Sequence, residues 1–398
     1  MKIEVYSPTI RRKEMDAVLT AMVEDKIGPG EQARLLIQIA KERLRFDYCL
    51  ALRSPAIALY LALKAMNLED GRGVLISALS PRYYHRVIED LRLRPVYCDV
   101  TSGSPLMGRN TIEEALSRKD PETGVRCIVL HHTLGFVPDT ASIAELGIPI
   151  IDDRSQSYGA GFLEEAGKSA GSAATEERPQ GDARPPRETG SGGLSGVFTI
   201  LGLEERDMLT SGGGALLYAV SRRDGSALRN YGDLSPEYSL PDMNAAMAVI
   251  QFRESARNLE KRLEIARIYT QSALRTRHRR FVQGDEGYNN YAFPLVLETG
   301  LKDVKTYARK KDILVESAFE NTLIGFALTA DGGAALFPAA VSPASGDGGA
   351  GEENSVSRFQ DLCPEAYSLS LRTVLFPLYP RLSSSEVERI SKLILTLP

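Results

Sequence analysis

Few cysteines, few histidines and no long apolar run narrow this sequence before any motif is considered. Four cysteines in 398 residues (Cys49, Cys98, Cys127 and Cys363) stand far apart with no CxxC spacing. Three of them lie in apolar runs, so free buried thiols are expected rather than disulfides or a metal site. Nor do the four histidines have ligand spacing: His131 and His132 are adjacent, and on a strand such neighbours face opposite sides and cannot share one ion. Nowhere do about 18 apolar residues follow one another, which removes a membrane-spanning helix. The opening MKIEVYSPTIRRKEM has no apolar stretch of a signal peptide, so a cytoplasmic location is expected. Basic charge is not in surplus either. A formal net charge of −4 makes nucleic acid and anionic membrane poor partners, and the one basic run, Arg275, Arg277, Arg279 and Arg280, reads as a solvated helix end.

What is present is a chain long enough for a large core and a smaller second domain, 43% hydrophobic and 25% charged. Short runs rich in β-branched residues recur: VLIS from Val74, PVYCDV from Pro95, CIVLHH from Cys127, IPIIDD from Ile148, VFTIL from Val197 and ALLYAV from Ala215. Helical stretches such as YHRVIEDLRL and ASIAELG lie between several of them. Continuous apolar strands alternating with helices predict an α/β domain over 1–240, its mainly parallel sheet covered on both faces. Two stretches, 164–193 and 330–357, are rich in Gly, Ala, Ser, Pro and Glu, bury too little surface to offset their ordering entropy, and are expected to be mobile surface insertions. After about residue 240 the pattern turns helical. Residues 244–274 repeat apolar positions at helical spacing, one long helix or a helix pair. The strand-like YAFPLVL from Tyr291 and a serine-capped helix in SSSEVERISKLI complete a smaller α+β domain over 241–398.

The segment IPIIDDRSQSYGAGF (148–162) carries the most chemistry. A buried parallel strand ending in two aspartates sets carboxyls at the edge where open α/β sheets bind ligands. Asp152 and Asp153 point to opposite faces, so one of them enters the cleft; helix capping or loop solvation is the other reading of the pair. The order of the neighbours, a strand ending acid-Asp with Gln three residues on and then Gly-Ala, resembles the DegT/DnrJ family of sugar aminotransferases, which have the fold-type-I pyridoxal-phosphate (PLP) architecture. The likeness recurs at SPTIRRKEMDAVLTAM, SPAIALYLAL (54–63), PVYCDV, HHTLG, TSGGGALLY, DMNAAMAVIQF (242–252) and FPLYPRLSSSEV (376–387), in the family's order and spacing along nearly the whole chain.

By that resemblance Asp153 pairs with the protonated pyridine nitrogen of PLP or of pyridoxamine phosphate (PMP), since an electron-sink ring needs a negative charge beside that nitrogen. Gln156 lies by the phenolic oxygen, Thr199 stands in for a phosphate-binding serine, and Ser54 and Ala56 belong to the phosphate loop. The ring-stacking position falls on Pro81, with Tyr83 or Tyr84 close by. The pattern then departs from the family. Its catalytic lysine falls at Glu204 counted from Thr199, or at Arg206 counted back from Gly213 and Gly214, and neither forms an imine. No lysine occurs between Lys168 and Lys261. Pro55 removes an N–H donor from the phosphate loop, and Glu237 falls where the family has a phosphate-contacting Asn from the partner subunit, so that its carboxylate would repel the phosphate.

Three readings follow. The first is a degenerate member of sugar or polysaccharide metabolism, with no catalytic residue assigned and no metal, that binds or regulates. The second is a PMP-dependent dehydratase acting on a nucleotide sugar, with Glu204 as base. The third is a standard sugar transaminase. The first two predict a homodimer, a sugar-nucleotide ligand, and a cofactor that is not covalently held or is absent.

Overall fold

The computed structural model describes residues 2–118, 124–160, 196–281, 288–329 and 355–398. The six apolar runs all become strands of one seven-stranded sheet: β2 (Gly73–Ser77), β3 (Arg94–Cys98), β4 (Val125–His131), β5 (Ile150–Asp153), β6 (Phe198–Gly202) and β7 (Ala215–Ala219). The seventh, β1 (Tyr48–Leu52), is not foreseen from the sequence because its five residues run almost directly into the apolar helix Pro55–Ala65. Strand order is β1-β7-β6-β5-β4-β2-β3. All pairings from β3 across to β6 are parallel, and β7 runs antiparallel to both β6 and β1. β6 and β7 therefore form a hairpin, and the connection 203–214 between them is a single long turn at the carboxyl edge of the sheet.

Both faces of this sheet are covered, as its uninterrupted apolar strands require. On one face Leu52, Leu59, Ile76, Tyr84, Val129, Ile151, Phe198, Ile200 and Leu217 share a core. On the other, Leu201, Leu216 and Tyr218 pack with Leu36 and Ala40 and with Val249 and Phe252 of the long helix. That helix is one continuous element, Asp242–Ala273, rather than a pair. Its first residue does a second job: the Asp242 carboxyl accepts the backbone N–H groups of Gln32 at 3.1 Å and Ala33 at 3.0 Å. The helix Glu31–Leu44 begins at Gly30, which has no side chain to cap it, so the cap comes from 210 residues away.

The second sheet, β8-β10-β9 (Phe293–Val296, Thr373–Phe376, Glu316–Ser317), packs against the carboxyl half of the long helix and the terminal helix Ser384–Leu395, with Ile265, Tyr269, Leu295, Val374, Val387 and Ile390 in its core. As expected, Ser383 caps that terminal helix, in a capping box with Glu386. Arg262 of the long helix ties together separate segments of the second half of the chain. Its guanidinium is buried and donates to the carbonyls of Asn290, Tyr291 and Leu378 at 3.3, 2.8 and 2.8 Å.

The insertion 164–193 lies outside the described residues, as does most of 330–357; its last three residues belong instead to a helix, Ser355–Leu362. All four cysteines are buried and free, and Arg275, Arg277, Arg279 and Arg280 are exposed beyond the end of the long helix. Among the described residues no helix is long and apolar enough to cross a membrane.

The supplied cap gives a test of this architecture. Asp242→Ala leaves two N–H groups at a helix start without a partner and is expected to cost about 1–2 kcal/mol, read as a fall in the urea midpoint at unchanged slope. An unchanged midpoint would show that Asp242 does not hold the helix.

Candidate active site

The two aspartates that end β5 diverge as strand alternation demands. Asp152 turns to one face, where its carboxyl meets His132 Nε2 at 2.8 Å and the Arg154 guanidinium at 2.6 Å. Burial works against its ionisation, but Arg154 and His132 outweigh it and hold the carboxyl far below the ordinary range. His132 Nδ1 in turn lies 2.6 Å from Ser157 Oγ. Serine, histidine and aspartate in a row have the connectivity of a nucleophilic triad, yet Ser157 and His132 are 5% and 1% exposed. A nucleophile with no path to substrate is a structural tie.

Asp153 turns to the other face, into the core that holds Tyr84. One carboxyl oxygen accepts the Tyr84 hydroxyl at 2.5 Å; the other accepts the Ser155 N–H at 3.0 Å and the Ser155 hydroxyl at 2.5 Å. Ser155 Oγ also accepts the Gly202 N–H at 2.8 Å, which locks the end of β6 to the loop after β5. His131 shares this face, edge-on to the Tyr84 ring at 6.1 Å. Burial, only partly countered by Asp153, lowers its pKa to about 4, so the imidazole is neutral at pH 7. As expected, the adjacent histidines face opposite ways.

Next comes Asp207, which the sequence reading missed inside the polar run LEERDM. Its carboxyl accepts the Glu204 N–H at 2.9 Å and fills the space where a side chain on Gly202 would stand, next to Ser155. Burial, then the nearby Asp153 and Glu204, push it up to about 8 against the stabilising pull of that N–H. Glu204 is half-buried, its carboxyl raised by burial and held by a long contact of 3.5 Å from the Gly214 N–H. Arg206 leaves the site. It is exposed, pairs with Glu316 on β9 at 2.8 Å and lies over the Tyr6 ring. Among the described residues no cation forms an ion pair with Asp153, Glu204 or Asp207.

Other expected positions resolve unevenly. Tyr83 stands beside Tyr84, ring edge to ring face at 5.0 Å, and its hydroxyl is raised well above the ordinary range by burial and by Asp153. β6 pairs Thr199 with Asp152 and Ile200 with Asp153, so Thr199 shares the sheet face of Asp152. Gln156 accepts the Leu134 N–H at 2.7 Å, which supports the left-handed pair Leu134 (φ 57°) and Gly135 (φ 84°) in the HHTLG turn. Asn289 completes that tie from the second half of the chain, donating to the carbonyls of Gln156 and Tyr158. Ser54 caps the helix Pro55–Ala65 by accepting the Ile57 N–H at 3.3 Å, with Pro55 in the first turn and Ala56 beside it. Glu237 is exposed, on a segment that pairs with Arg53 through the Tyr238 carbonyl.

This fold, a seven-stranded sheet with one reversed strand and a small α+β unit docked over its carboxyl edge, is that of the sugar aminotransferases. The "Putative sugar aminotransferase Spr1654 from Streptococcus pneumoniae, PLP-form" superposes with a TM-score of 0.75 over 100% of this chain and 98% of that one at 16% identity. TlmJ, an aminotransferase from Streptoalloteichus hindustanus, does so with 0.73 over 98% and 97% at 18% identity. Residues 8–178 match the DegT/DnrJ/EryC1/StrS aminotransferase family. In sequence it is 24% identical over 284 residues to dTDP-4-dehydro-2,3,6-trideoxy-D-glucose 4-aminotransferase of Saccharopolyspora spinosa, covering 67% of this chain and 70% of that protein.

The Asp207 carboxyl makes a pH test. Its folded value of about 8 lies above the ordinary 3.8, so the protonated form stabilises the fold. That contribution is complete below the unfolded value and is lost as pH rises through the folded one. Asp207→Asn should therefore melt with a flatter pH profile than the wild type between about pH 5 and pH 9. Parallel profiles would refute the buried acid.

Proposed function

We propose that this chain is a non-transaminating relative of the sugar aminotransferases, a homodimeric protein of sugar or polysaccharide metabolism that binds or regulates through a sugar-nucleotide ligand and forms no imine with PLP. The observation that carries this reading is the turn 203–214. In the resemblance it bears the lysine, whereas here it presents Glu204 and Asp207 toward Asp153 and sends Arg206 outward to Glu316. An imine needs an amine, and the turn supplies none.

The residues at this site do not fit PLP or PMP. The pyridine acceptor Asp153 already takes three hydrogen bonds from the chain itself. The turn that faces Asp153 brings the acids Glu204 and Asp207 rather than a cation. Ser54 spends its hydroxyl on its own helix.

Kinship with a dTDP-sugar aminotransferase supports the ligand class. Self-association is supported by Met15, Leu19, Met22, Val23 and Ile27, all exposed, the first four at i, i+4, i+7 and i+8 on one face of the helix Arg12–Val23, an apolar stripe of the kind that marks interaction surfaces. The rival dehydratase reading draws on one observation, the raised pKa of Glu204, which suits a proton-transferring base; it demands PMP binding.

Purified protein mixed with PLP is expected to show no aldimine absorbance and no label fixed by borohydride, and Glu204→Lys or Arg206→Lys alone should not create either. A borohydride-stable adduct on the wild-type chain would overturn the proposal. PMP binding that a keto-deoxy nucleotide sugar consumes would favour the dehydratase instead.

A further inference from the structure

Asp153 is 1% exposed and Tyr84 is 0% exposed, so the carboxyl that ends β5 is satisfied inside the protein by a side chain from the loop and helix after β2. The placement of Tyr84 is fixed on every side. Its N–H bonds to the Pro81 carbonyl at 3.1 Å, and its ring packs edge-on to Tyr83 at 5.0 Å and to His131 at 6.1 Å. The loop before it is sealed from outside by the second half of the chain: Leu323 N–H donates to the Ser80 carbonyl at 2.9 Å and Ile324 N–H to the Ala78 carbonyl at 3.1 Å. Phe319, Leu323 and Ile324 join the same core as Tyr84.

We propose that Tyr84 is a built-in occupant of the Asp153 position: its phenol supplies, from within the chain, the hydrogen bond that this carboxyl would otherwise draw from the protonated nitrogen of an aromatic ring. The chain completes itself where a relative would take up a heterocycle. An aromatic ring with a donor at one end, wedged between other rings and hydrogen-bonded to a buried carboxyl, satisfies the same demands as a pyridinium: a flat apolar body and one hydrogen bond at its tip. Burial and the adjacent Asp153 raise the Tyr84 hydroxyl well above its usual range, so it keeps the proton it donates. The inference rests on the reading above that no imine forms, and it names which residue takes the ring's place.

Removing the occupant should recreate the site it fills. Tyr84→Ala leaves a ring-sized cavity with a carboxyl at one end, and apolar cavities of this kind take up small aromatic ligands. In thermal melts near pH 6 with millimolar pyridine or benzene, the variant is expected to gain about 2 °C or more from pyridine and less from benzene, while the wild type gains from neither and is not shifted by PMP. Adding Asp153→Asn to Tyr84→Ala should erase the preference for pyridine. An equal gain from both ligands would overturn the proposal, and so would a wild type stabilised by PMP. If Tyr84→Ala does not fold, Tyr84→Phe keeps the ring and drops only the donor; its loss of melting temperature should shrink when Asp153→Asn is added, and additive losses would sink the idea. Reversible PMP binding by the wild type defeats this inference while leaving the absence of an imine intact, whereas a borohydride-fixed PLP adduct defeats the reading on which it rests.

Discussion

A carboxyl at the end of a strand buried on both faces has to be satisfied, and most of the site follows from how Asp153 is. Taking an acid out of water unpaired is among the costlier changes a fold can make. Tyr84 and Ser155 meet that demand with three donors, and each donor fixes a separate element: the helix after β2, the loop after β5 and, through the Gly202 N–H on Ser155, the end of β6. Because β6 is held there, the turn 203–214 leaves the sheet at a set point and carries Asp207 in beside Gly202. Asp152, one residue earlier, solves the same problem in another way, with a histidine and an arginine that let it stay charged. Adjacent positions on a strand thus end up with different partners because alternation assigns them to different faces.

The fold was largely legible because its signals are local and repeated. Runs such as CIVLHH and VFTIL announce strands by their β-branched, uninterrupted apolarity, and the long helix by its period. β1 was not legible, since YCLAL differs little from the helical run that follows it three residues later. The site was legible only on the β5 side. Asp153 could be picked out because strand periodicity together with the motif order points to it. Thr199 could not be placed by the same means: whether a hydroxyl in VFTIL faces Asp153 or Asp152 depends on the pairing register of β6 against β5, and a shift of one residue would reverse it. Asp207 and Arg206 differ by one position in a polar turn, and which of them goes inward is decided by the Glu204 N–H and by Glu316, some 110 residues away in the chain.

Several polar residues around the candidate site are occupied by the fold itself. Gly135, Gln156, Asn289 and His132 are fully employed in holding the HHTLG turn and the loop after β5. A side chain on Gly135 would collide with Asn289, Tyr291 and the Gln156 carbonyl. Such residues can persist wherever the fold persists, whatever happens to the chemistry, because fold and function are separable.

Closure of the cleft extends the same argument to dynamics. To admit a cofactor-sized ligand at Asp153 the segment around residues 319–324 would have to leave the loop after β2, exposing Phe319, Leu323 and Ile324. Each is at most 1% exposed, and burying such a side chain stabilises by roughly 1.5–3 kcal/mol. Three of them put the open form about 5–9 kcal/mol above the closed one, an upper range because a released segment would not be fully extended. Because that cost is an upper range, it sets only a floor on the open population, and the apparent affinity of any ligand that needs the open form falls by the fraction of molecules that are open. A fold that must open to work keeps such contacts few and polar. Here the segment around 319–324 is held to the loop after β2 by core side chains as well as by two backbone hydrogen bonds.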